Sequence, residues 1–145
     1  MSVRGVDAQQ AQALLEQGYR FVDVRTVQEF ELGHVPGAFN VPVQHADGDS
    51  LFSNPHFLTV TRGAFELDTP LIVGCHASAR AERACEELYA VGYRNLTLLT
   101  AGWDGRRDAF GRLIPGWARL GLPVEQGDGA ERSYRALLQN TTRPS

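Results

Sequence analysis

Hydrophobic positions along the 145-residue chain change their period from segment to segment, and each change marks an element. Ala8, Ala11, Leu14 and Leu15 recur at helical spacing, with Asp7 placed to cap the helix and Gly18 placed to stop it. Phe21-Val22-Asp23-Val24 reads as a short strand. Thr26 and Glu29 have the spacing of a capping box, which predicts a short helix ended by Gly33. Pro36-Gly37 marks a turn before a second short strand, Ala38-Phe39-Asn40-Val41. The polar, turn-rich stretch 46–54 is expected to be a loop. A helix is expected over 55–65, with Pro55 at its first position.

Leu71-Ile72-Val73 is apolar on both faces, the pattern of a parallel strand covered by helices on both sides. A helix follows over 79–91, with Ala81, Ala84, Cys85 and Leu88 as its buried stripe and Gly92 closing it. Asn95-Leu96-Thr97-Leu98-Leu99 is another strand. Residues 103–121 are expected to hold one or two short helices, and a weak helical pattern recurs at 132–138. This alternation predicts an α/β fold, a mostly parallel five-stranded sheet flanked by helices on both faces. The expected organisation is one domain over 1–125 and a polar C-terminal tail over 126–145 with a short helix.

Composition narrows the function classes. The chain is 43% hydrophobic and 21% charged, ordinary for a globular domain, and its net charge of −3 argues against wholesale nucleic-acid binding. No apolar stretch approaches the roughly 20 residues that span a bilayer, so no membrane partner is expected. Met1-Ser2-Val3-Arg4-Gly5 lacks the apolar core of a secretory signal, which leads to the expectation of a cytoplasmic protein. His45 and His56 have no partner at metal-ligand spacing, so no metal is expected. Cys75 and Cys85 are separated by roughly 9 Å of helical rise, more than the ~7 Å a disulfide tolerates between Cα atoms. Cys85 is therefore expected to pack as a small core residue, with a resolving or relay thiol as the alternative.

Cys75 is the chemical focus. It ends the apolar strand and opens the hexapeptide Cys75-His76-Ala77-Ser78-Ala79-Arg80, after which a helical pattern begins. A strand-to-helix junction gathers backbone N–H groups, a helix N-terminus and here Arg80 around the sulfur. All three favour the thiolate, the nucleophilic form, so a depressed thiol pKa is expected. Asp23 and Arg25 follow the neighbouring strand and are candidates for touching substrate or, the favoured reading, for tying the loops together. Glu29 and His34 are expected to be structural.

Three stretches, in order, resemble one family. The first is Phe21-Val22-Asp23-Val24-Arg25 through Glu29-Phe30 and Gly33-His34-Val35-Pro36-Gly37-Ala38. The second is Leu71-Ile72-Val73-Gly74-Cys75 through Arg80, continuing from Leu88 to Gly92-Tyr93-Arg94-Asn95. The third is Ala101-Gly102-Trp103, then Trp117 to Gly121-Leu122-Pro123-Val124. Together they resemble a single-domain rhodanese, a sulfurtransferase, over about Phe21 to Glu125. The resemblance implies that Cys75 takes a sulfane sulfur from a donor such as thiosulfate, becomes a persulfide, and passes the sulfur to cyanide or a thiol, a protein thiol included. It implies no metal or organic cofactor. His76, Ala77, Ser78, Ala79 and Arg80 would be the anion-binding loop, with Arg80 its main side-chain charge.

The loop keeps four residues between Cys75 and Arg80. Related phosphatases and arsenate reductases keep five, a wider ring for a tetrahedral oxyanion, so the spacing favours sulfur transfer over those reactions. The chain departs from the family pattern at His76, where Arg is frequent, and at Ser78, where Gly is frequent. A protonated His76 would restore the missing charge, making activity pH-sensitive near about 6–7. The departures also leave open a non-catalytic module that binds a partner or relays sulfur. The segment from Asp104 to Arg112 looks longer than the minimal family pattern, and its Arg106, Arg107 and Arg112 are candidates for rimming the entrance and recruiting an anion.

Overall fold

The computed structural model describes residues 3–142 apart from Ser78. Its centre is a five-stranded parallel sheet. The strands, in chain order, are β1 (Arg4–Val6), β2 (Arg20–Asp23), β3 (Phe39–Asn40), β6 (Leu71–Gly74) and β7 (Leu96–Leu99), and in space they run β1-β7-β6-β2-β3. β6 lies in the middle with all four residues buried, as its unbroken apolar run requires. Pairing sets Phe21 opposite Ile72, Val22 opposite Val73 and Asp23 opposite Gly74, so the carboxyl ends of β2 and β6 finish side by side.

Side chains alternate across the sheet and divide the core into two layers. Val22, Leu71 and Val73 face one layer, which α3 (Phe57–Ala64), α4 (Ala79–Ala90) and α5 (Tyr134–Thr142) fill with Phe57, Val60, Cys85, Leu88 and Leu137. Phe21, Ile72 and Leu99 face the other, filled by Ala11 and Leu14 of α1 (Ala8–Glu16), Phe30 of α2 (Val27–Leu32) and Trp117. Both predicted caps form. Asp7 accepts from the Gln10 N–H and Gln10 answers; Thr26 accepts from the Glu29 N–H and Glu29 answers.

Several expectations are corrected. The stretch 46–54 is not a loop but part of an antiparallel hairpin, β4 (Gln44–Asp47) and β5 (Ser50–Ser53). None of the residues in its two strands is buried, so no alternating pattern betrayed it. Residues 103–121 hold one short 3-10 helix, Trp117–Arg119, within the expected one or two, and also an unexpected second hairpin, β8 (Gly105–Arg107) and β9 (Leu113–Pro115). The helix expected over 55–65 begins two residues later, with His56 as its N-cap. The edge strand β1 is three residues long and was not foreseen. Residues 127–141 pack on the body. Gly127 N–H donates to Glu31 O, Arg132 donates to Ala38 O, and Tyr134 and Leu137 are buried against the α3 side.

Candidate active site

Gly74 ends β6 where a side chain would not fit: a Cβ there would lie 2.5 Å from the Phe21 ring. The next residue, Cys75, is 2% exposed. Its Sγ accepts the Ala81 N–H of α4 at 3.3 Å, so the sulfur sits against the first turn of that helix.

The loop's backbone orientation is fixed from behind. Trp103 N–H donates to Cys75 O at 2.7 Å, and Asp104 N–H donates to His76 O at 2.9 Å. Gly102, at φ +62°, lies so close that a Cβ would be 2.5–2.8 Å from the carbonyl oxygens of Cys75, His76 and Ala77. A trans peptide points its N–H opposite its C=O. With those carbonyls turned toward residues 102–104, the N–H groups of His76 and Ala77 face the opposite side.

Burial pushes the Cys75 thiol above its ordinary value, and Asp23 pushes the same way. The Ala81 and Ala77 N–H groups and the Arg80 charge pull it down but do not overcome burial. The depressed pKa expected from the junction is corrected here: at 2% exposure, loss of hydration outweighs the dipoles. Cys85 is 1% exposed, and burial, with the charges of Cys75, Glu82 and Glu86, pushes it up to about 12.

Arg80 donates both arms of its guanidinium to Glu29, at 2.7 and 2.9 Å. Glu29 therefore caps α2 and anchors the start of α4 at once. Its burial would raise its carboxyl, but the Arg80 hydrogen bond and charge and the Thr26 N–H and hydroxyl outweigh that and hold it at about 2. The sequence suggested only the capping half of this role. Beside the pair, a cavity of about 640 Å³ opens between α2 and the β4–β5 hairpin, lined by Thr26, Gln28, Glu29, Gln44 and Arg80 among others. Cys75 does not line it; Arg80 connects the two.

Asp23 and Arg25 are 3% and 2% exposed and form a bidentate pair, with Arg25 also donating to Gly33 O at 2.6 Å and lying over the Trp103 ring. Asn40 donates to the carbonyls of both. They tie four segments together beneath the loop, the favoured reading of this pair. His34, fully buried, stacks on Phe30 and reaches Phe30 O and Glu125, which ties the turn at residues 33–38 to the C-terminal segment.

His76 is half exposed, with Nε2 3.7 Å from Asp104, itself held by Arg119. Ala77 is half-buried and Ala79 exposed; Ser78 lies outside the described residues. Arg106 and Arg107 are exposed on β8. Sequence reasoning missed Gly102, Trp103, Asp104 and the Ala81 N–H as the groups that build the loop. The Gly at 102 was visible, but nothing local showed which backbone it would approach. Among the described residues, no group of three or more His, Cys, Asp or Glu is placed to hold a metal ion, and no helix is long and apolar enough to cross a membrane.

Residues 7–109 match the model of the rhodanese-like domain. The chain belongs to that family. Among its relatives, the radish senescence-associated protein DIN1 is 36% identical over 80% of this chain, which spans 57% of the radish protein's length. Thiosulfate sulfurtransferase 16 of Arabidopsis thaliana, a chloroplastic protein, is 36% identical over 79% of this chain and 87% of its own. The crystal structure of Rv0390 from M. tuberculosis superposes with a TM-score of 0.71 at 27% identity, covering 87% of this chain and all of that one. The rhodanese-like match begins at the Asp7 cap and runs through the Cys75 loop into the β8–β9 hairpin.

Proposed function

We propose that this rhodanese-like domain is a sulfurtransferase in which Cys75 carries the sulfur. The Cys75 thiolate attacks the sulfane sulfur of thiosulfate or a similar donor. The donor's S–S bond breaks and sulfite leaves with the electron pair. Cys75 then holds a persulfide whose outer sulfur lies ~2 Å beyond Sγ. An acceptor, cyanide or a thiolate, attacks that outer sulfur, and the Cys75 thiolate leaves. Thiocyanate or a new persulfide is released, with no net redox change and no cofactor.

The observation that carries this reading is the Cys75 Sγ held at the carboxyl end of β6 by the Ala81 N–H, with the Ala77 N–H also acting on the sulfur. Fixed N–H dipoles stabilise an anionic sulfur without reorganising, which is what both half-reactions require. Arg80 adds positive charge to the region, moderated by Glu29. Because burial raises the Cys75 thiol, the rate of persulfide formation rises with pH through the alkaline range. A relative named for thiosulfate sulfurtransfer, matched over most of its length, supports the donor class.

Intact mass after incubation with thiosulfate tests the reading on wild type and Cys75→Ser. A gain of one sulfur atom on wild type alone, discharged by cyanide with release of thiocyanate, is the expected result. No gain with thiosulfate or with a low-molecular-weight persulfide donor overturns it and leaves a binding module.

A further inference from the structure

The β8–β9 hairpin is rich in arginine and carries an exposed aromatic at its tip. Residues 104–119 carry four arginines against two aspartates, on a chain whose net charge is −3. Both aspartates are engaged: Asp104 accepts from Arg119, and the Asp108 carboxylate accepts the N–H groups of Phe110 and Arg112 at the tip. Arg106, Arg107 and Arg112 are exposed. At the tip, Phe110 is 85% exposed, with Leu113 at 39% beside it on β9. The base of the arm is the segment that holds the active loop, through Trp103 N–H to Cys75 O and Asp104 N–H to His76 O. Three residues of strand extend about 10 Å, so the tip stands roughly that far from the Cys75 loop.

We propose that this hairpin is the docking arm for an acidic protein segment that presents the acceptor thiol to the Cys75 persulfide. The role of the docked segment as acceptor rests on the sulfurtransferase reading; the docking does not. A small anion would have no use for an exposed phenylalanine, whereas arginine with a buried aromatic anchor is the composition of protein interfaces. The arm's surplus of two positive charges is small beside the six to ten phosphate contacts typical of nucleic-acid binders, and the negative body repels a long polyanion. A short acidic segment meets the arm without crossing that body. Complementary charge also speeds encounter, which suits a brief transfer step.

Fluorescence anisotropy on the Cys75→Ser protein reads docking without chemistry. The probe is a short labelled glutamate-rich peptide with one leucine and a serine in place of cysteine, beside its glutamine counterpart. The acidic peptide should bind and the glutamine peptide should not. Binding should weaken at least about tenfold in the R106E/R107E/R112E protein and again when salt rises from about 50 to about 500 mM. Phe110→Ser should weaken it at either salt. Equal binding of the two peptides, or indifference to the charge reversal, overturns the proposal. Tighter binding of a single-stranded oligonucleotide overturns it in favour of nucleic acid. A concentration-dependent dimer in sedimentation that the charge reversal abolishes overturns it in favour of a second copy of this chain.

With cysteine restored to both peptides and Cys75 loaded with sulfur, transfer should favour the acidic peptide, and the ratio of the two rates should fall to about one on charge reversal. Failure of Cys75 to load would count against the sulfurtransferase reading and leave the anisotropy result standing.

Discussion

Gly102→Ala isolates what builds the Cys75 loop. At φ +62°, an added Cβ carries the ordinary cost of the left-handed region, about 1–2 kcal/mol. It also meets the carbonyl oxygens of Cys75, Ala77 and His76 at 2.5, 2.6 and 2.8 Å. These are backbone atoms and cannot swing aside. To reach an ordinary contact of 3.4 Å the two segments must part by roughly 0.6–0.9 Å. The hydrogen bonds from Trp103 to Cys75 and from Asp104 to His76, at 2.7 and 2.9 Å, then stretch past useful length. Each contributes about 1 kcal/mol net, so the total loss is about 3–4 kcal/mol. Gly121→Ala is the control: its φ is +71° and nothing lies within 4 Å of its added Cβ, so only the backbone cost applies. Urea unfolding should separate the two variants by about 2 kcal/mol. Displacing the loop N–H groups by most of an ångström should lower thiosulfate-to-cyanide turnover about 100-fold in Gly102→Ala. Equal stability losses in the two variants, with wild-type turnover in Gly102→Ala, would refute the reasoning.

Further outcomes follow from the ionisable groups Cys85, Glu29 and Asp23. Cys85, raised to about 12, should resist iodoacetamide in the native protein at neutral pH, and Cys85→Ala should keep sulfur transfer while losing about 1 kcal/mol of stability; loss of transfer in a folded Cys85→Ala protein would make it a relay instead. The same thiol binds its proton more tightly folded than unfolded, where its pKa is about 8.5; the stability it gives is complete below that and is lost as pH climbs toward about 12, a slope that denaturation of Cys85→Ala should lack. Glu29 has the opposite sign: held at about 2 when folded, it gives stability that is complete above its unfolded value near 4.5 and is lost as pH falls toward 2, on the order of 2 kcal/mol after allowance for its partial exposure, and Glu29→Gln should flatten the acid limb of the stability curve. Asp23→Asn leaves Arg25 buried without its counter-charge and should cost about 3–5 kcal/mol in urea unfolding, whereas an Asp23→Asn, Arg25→Met protein should recover part of that loss.

The capping boxes at Asp7 and Thr26, the stripe of α4 and the two-sided apolar run of β6 were legible in the chain because each depends on residues a few positions apart. Cys75 was legible for the same reason: a strand end and a helix start adjoin it in sequence. The two hairpins were not. Gln44–Ser53 has no buried residue, and 105–115 has one, so neither shows the alternation that announces a strand. β1 was missed because a three-residue edge strand is fixed by its partner β7 rather than by its own composition.

What the sequence determined by itself, then, was the local framework: which segments are helix or central strand, and that a cysteine stands at the junction most able to use one. The tertiary structure alone decided the chemical character of that junction. Burial under neighbouring layers raises the thiol that local dipoles would lower, Glu29 arrives from 51 positions away to take the Arg80 fork, and residues 102–104 turn the loop's carbonyls away from the sulfur. Desolvation and long-range hydrogen bonds depend on what is adjacent in space, and that is set only when the sheet closes its order.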